Sequence, residues 1–79
     1  MDEYIHAIIQ GRLNDVKLFS DCPHNREPFE NNGLPILEAS RFGQQKIIDY
    51  FLCSPKRKIE LNRYPHIVSI LRTRRQISW

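Results

Sequence analysis

An all-α solenoid of antiparallel helix pairs with projecting turns is the fold that this 79-residue chain predicts. Three observations predict it. The chain repeats itself: sliding it by 32 residues lays Ile5 on Leu37, Ala7 on Ala39, Gly11 on Gly43, Val16 on Ile48, Leu18 on Tyr50 and Phe19 on Phe51. Within each unit the apolar residues recur at the three-and-four spacing of a single helix face. A glycine stands between the two apolar runs of each unit, where a left-handed residue ends one helix and lets the next return.

Ile5, Ile8 and Ile9 predict a helix over 2–10, and Leu13, Val16 and Phe19 predict its return over 13–21, with Gly11 as the corner. Asn31, Asn32 and Gly33 are turn chemistry. Pro35 then suits a first helical turn, where its missing amide hydrogen costs nothing. Ile36, Leu37 and Ser40 carry a helix over 35–42, Gly43 turns it, and Ile47, Ile48, Phe51 and Leu52 carry the next over 45–53. A third copy, offset by 30, sets Asn32 on Asn62, Leu34 on Tyr64, Pro35 on Pro65, Leu37 on Ile67 and Ala39 on Ser69. It predicts a last helix over 65–75, with loops at 22–34 and 54–64. The whole chain, 1–79, reads as one domain: repeats at about 1–28 and 29–58, then half a repeat at 59–79.

So short a chain buries a modest core, and the ends of a repeat array need polar caps. Asp2, Glu3, His6 and Gln10 are expected to cap the start, and Arg72, Arg74, Arg75 and Gln76 the end. Ile77 and Trp79 either fold back on the last helix, the reading that burial favours, or form an exposed contact. Hydrophobic residues make up 41% of the chain and charged residues 27%, a folding composition. Asp2 and Glu3 stand where a leader peptide needs positive charge, and no apolar run approaches the roughly 18 residues of a membrane span, so a cytosolic or nuclear setting without membrane contact is expected.

Charge is unevenly placed. Residues 1–34 hold six acids against three bases, and residues 35–79 hold three acids against nine bases. Such a dipole steers partners, including a second copy of the chain meeting head to tail. Two cysteines, Cys22 and Cys53, point to reduced thiols, and Cys22, Pro23 and His24 lack the further ligands that a zinc site needs. His6 and His66 lie within helical patterns. There is no phosphate-cradling glycine loop, nucleophile elbow or carboxylate pair with a histidine, so neither enzymatic activity nor a cofactor or metal is expected.

The stretch NNGLPILEASRFGQQKIIDYFL, Asn31 to Leu52, resembles the ankyrin repeat, in which the family writes G-x-T-P-L-H-x-A-A-x-x-G-x-x-x-I-V-x-x-L-L. Leu34 replaces the family's threonine and Leu37 its histidine, and Tyr64, Pro65 and His66 depart in the same way. The resemblance extends over nearly the whole chain and is closest at 29–53. It implies a non-enzymatic protein-binding module that uses turn tips and first helices, similar to the small ankyrin proteins that viruses and intracellular bacteria direct at host machinery. By that resemblance the tips are Glu30, Asn31 and Gly33, then Glu60, Leu61 and Arg63. The positions before each corner are Ile9 and Gln10, Arg41 and Phe42, then Leu71 and Arg72. Partner contact is expected at Gln10, Glu30, Asn31, Arg41, Phe42, Arg63 and Arg72, above all at Arg41 and Phe42, whose residue types dominate binding hot spots. The alternative is a small basic nucleic-acid-binding protein using Lys56, Arg57, Lys58, Arg72, Arg74 and Arg75.

Overall fold

The computed structural model describes residues 2–78. Those residues form six helices and no strand: α1 (Glu3–Ile9), α2 (Leu13–Ser20), α3 (Glu30–Arg41), α4 (Gln45–Phe51), α5 (Pro55–Leu61) and α6 (Pro65–Thr73). The Asp2 carboxylate starts α1 by accepting from the Tyr4 amide at 2.9 Å. Asn31, Asn32 and Gly33, with φ of 52°, 60° and 83°, make a left-handed turn at the head of α3 before the right-handed helix proceeds through Pro35. Asparagine and glycine are the residues that tolerate that region.

Gly11 and Gly43 are left-handed, as their place in the repeat predicts, with φ of 73° and 65°. Their hydrogen bonds match one for one: Gly11 N donates to Ile8 O and Arg12 N to Ala7 O, while Gly43 N donates to Ser40 O and Gln44 N to Ala39 O. This is the Schellman arrangement, which satisfies carbonyls that a helix end leaves open. A third corner has the same bonds, Arg75 N to Arg72 O and Gln76 N to Leu71 O. Here an arginine holds the left-handed position, with φ of 57°.

Two expectations are corrected. The 54–64 loop contains α5, started by extended Ser54 and by Pro55 in the first turn, and anchored by fully buried Leu61. Leu61 is therefore a core residue and no projecting tip. The third unit also turns 32 residues after Gly43, two later than the proline alignment places it, because α6 is longer than the right-handed part of α3. The positions before that corner are Thr73 and Arg74, in place of Leu71 and Arg72, and Leu71 is buried.

α1 packs on α2 and α3 on α4, while α1, α3 and α6 contact one another in succession and α2 touches α4. Ile5, Ile8, Val16, Ile36, Ala39, Ile47, Ile48, Phe51, Ile67 and Leu71 form the core between these layers. Each large aliphatic or aromatic side chain so buried contributes about 1.5–3 kcal/mol. On the outer side of the first unit the repeat changes character: Glu3 and Asp15 occupy the places of buried Pro35 and Ile47, and they line a shallow groove of about 500 Å³ with His6 and Leu18. Asp2, Glu3, His6 and Gln10 are all exposed, as are Arg72, Arg74 and Arg75 at the other end. Ile77 packs half-buried against the core. Trp79 lies outside the described residues.

Arg26 ties the start of the chain to the head of α3. Its guanidinium donates to Asp2 and, through Nε at 3.0 Å, to both Glu30 oxygens, while lying 4.7 Å from the centre of the Tyr4 ring. Hydrogen bonds from Arg26 hold the Asp2 and Glu30 carboxyls below their ordinary ranges. A carboxylate depressed in the folded state contributes stability above its unfolded pKa, about 3.9 for Asp and 4.3 for Glu, and loses it as pH falls through the folded value. The urea midpoint is thus expected to drop below about pH 4, with a shallower drop in Arg26→Ala, which at neutral pH costs about 1–2 kcal/mol. An identical acid slope in both proteins would show that these two carboxylates do not set it. Beneath Arg26 the Tyr4 hydroxyl is buried without a hydrogen-bond partner among the described residues, and desolvation, followed by the charge of Glu30, raises its pKa.

Candidate functional site

The corners of the three units form a connected row. Gln44 Nε2 donates to Ile9 O at 2.7 Å, joining the second corner to the first. Gln76, its equivalent one unit on, exchanges two bonds with Ser40: Nε2 to the carbonyl at 2.9 Å and the Ser40 hydroxyl to Oε1 at 3.0 Å. Arg74 Nη1 donates to Ser40 O at 3.1 Å and Arg41 O at 3.0 Å. A cation there also sits at the negative end of the α3 dipole. Gln45 Nε2 reaches Gln76 O at 2.9 Å, closing the connection between the second and third corners.

Along this row stand the C-cap residues Gln10, Phe42 and Arg74, all exposed. Phe42 has 51% of its surface exposed, beside Arg41, whose Nη1 bonds Glu38 Oε1 at 2.9 Å. The bonds from Arg74 go to the peptide carbonyls on either side of Arg41, so Arg41, Phe42 and Arg74 lie together. Among the described residues, Leu18 and Ile59 are the other large apolar side chains this exposed, at 64% and 70%, on α2 and α5.

The expected partner-binding residues divide between two ends of the molecule. Gln10, Arg41, Phe42 and Arg72 are at or near the corners. Glu30 and Asn31 are at the head of α3, Arg63 precedes α6, and a nine-residue helix separates Arg63 from the last corner by about 13 Å. Glu30 is half-buried and engaged by Arg26, while Asn31 and Arg63 are exposed. The expected nucleic-acid residues divide likewise. Lys56, Arg57 and Lys58 lie on α5, where Lys56 and Arg63 line a groove together with Glu27 and Glu60. Arg72, Arg74 and Arg75 close α6, and the chain holds no acid after Glu60.

Sequence reasoning missed the partnership of Arg74 with the second corner and the left-handed Arg75. A signal was available for the second, since Gly11, Gly43 and position 75 are evenly spaced by 32. Both cysteines are free and exposed. Among the described residues no cluster of three His, Cys, Asp or Glu is placed to hold a metal ion, and no helix is long and apolar enough to cross a membrane. Compared with known proteins, the chain matches no family model, no curated protein and no solved structure.

Proposed function

We propose that this protein is a non-enzymatic interaction module, an ankyrin-like array of helix pairs that binds a partner protein at the corner end of its first-helix row and blocks that partner's surface. The observation that carries this reading is Phe42, a large aromatic side chain half exposed on a corner that is braced from both sides by Gln44 and Arg74. A rigid, partly exposed aromatic beside an arginine has the composition of a binding hot spot, and its ordering cost is largely met before the partner arrives. The matched Schellman corners and the succession of α1, α3 and α6 support the array, and the polar outer face of the first unit supports its capping.

The test is affinity capture from the source cell, quantified by mass spectrometry for the unaltered chain and for Arg41→Ala and Phe42→Ala. One protein species should be enriched, and each substitution should reduce its recovery about tenfold or more, the equivalent of about 1.4 kcal/mol. Recovery of nucleic acid alone would replace this reading with phosphate binding. That holds if the recovery survives Phe42→Ala, fails when Arg72, Arg74 and Arg75 are neutralised together, and falls log-linearly with salt.

A further inference from the structure

The corner at Arg75 breaks a rule that the chain keeps twice. Gly11 and Gly43 take the left-handed conformation without a side-chain penalty, whereas Arg75 takes it at φ of 57° with a long exposed side chain. A residue other than Gly, Asn or Asp in that region is uncommon, and local strain of this kind is found where a side chain serves a purpose other than stability. What Arg75 adds is charge in one place. It joins Arg74, held on Ser40 O and Arg41 O, and Arg41, beside exposed Phe42, so that three guanidiniums outnumber the two carboxylates of this corner, Glu38 on Arg41 and Asp49 on Gln45. On α5, Lys56 and Arg57 line a groove with Glu27 and Glu60, one carboxylate for each base.

We infer that the second and third corners form a docking site for an acidic peptide segment bearing one bulky apolar side chain: the apolar group packs on Phe42, and the carboxylates pair with Arg41, Arg74 and Arg75. This rests on the protein-interaction reading above and adds the chemistry of the partner. Guanidinium forks match carboxylates bidentately, and an exposed aromatic beside arginines has the composition of a binding hot spot, a combination that a short acidic segment with one apolar side chain satisfies. A nucleic acid would need an unbroken basic track, and at α5 the bases are interleaved with the carboxylates of Glu27 and Glu60.

The experiment is selection of a displayed library of random short peptides on the intact chain, followed by titration of the leading peptide against variants. Enriched peptides should combine Asp or Glu with one aromatic or long aliphatic residue. Arg75→Gly should raise the melting temperature by about 4–8 °C and weaken the leading peptide about tenfold, so lost binding cannot be blamed on lost folding. Phe42→Ser should weaken it about tenfold or more, and Leu18→Ser and Ile59→Ser, which alter the other exposed apolar positions, should leave it within twofold. Peptides without acidic bias, or binding indifferent to Arg75→Gly, would overturn the inference and leave the interaction reading standing. Absence of any enriched peptide, with oligothymidylate bound instead, would overturn both.

Discussion

Gly33→Ala is expected to cost about 3 kcal/mol and to lower the melting temperature by more than about 10 °C. Two effects add at this position. Its φ of 83° penalises any L side chain, by about 1 kcal/mol, and a methyl group built there would overlap Ile67 Cδ1 and touch the Tyr64 ring at 3.6 Å. Gly33 is buried at the junction of α3 and α6, so relief requires the end of the Ile67 side chain to shift within a packed core. Gly43 is the control: its φ of 65° carries the same backbone penalty, but a methyl group there meets nothing within 4 Å. Gly43→Ala should therefore cost only about 1 kcal/mol. Urea unfolding of both variants checks the pair, and equal losses would show that Ile67 gives way freely.

Leu61→Ala should cost about 2–5 kcal/mol, the usual range for truncating a fully buried leucine. The effect would establish α5 as part of the cooperative unit, since Leu61 is the buried residue by which that helix is anchored. Urea unfolding followed by circular dichroism provides the measurement. A change under about 0.5 kcal/mol would place Leu61 at the surface and return 54–64 to a loop.

How much of this could be read beforehand depended on whether the cause is local. Gly11, Gly43 and the Asn31–Asn32–Gly33 turn were legible because residues that tolerate positive φ announce themselves. Arg75 was marked only by its spacing of 32 from Gly43, since nothing in an arginine itself announces a left-handed residue. Its position is set by the burial of Leu71 and by the bonds of Gln76 to Ser40. α5 was hidden by the run Lys56–Arg57–Lys58, which reads as a solvated segment, although Pro55 after Ser54 is a helix start. Phe42 was legible as a position before a corner glycine. That it stays half exposed, and that Arg74 lies against its neighbour, are tertiary facts about α6 with no trace in the residues around Phe42.

The extra length of α6 gives the chain a means of telling its own units apart. Repeated units are prone to exchange partners while folding, because one apolar helix fits the seat of another. α1 and the right-handed part of α3 are alike in length: Gly11 follows Glu3 by eight positions and Gly43 follows Pro35 by eight. From Pro65 to Arg75 there are ten. Seated in the wrong place with its start aligned, α6 would present its corner about 3 Å too far along and about 200° around the axis, and Gln76 would find no Ser40 to bond. The mismatch acts as an address, penalising α6 in any seat but its own.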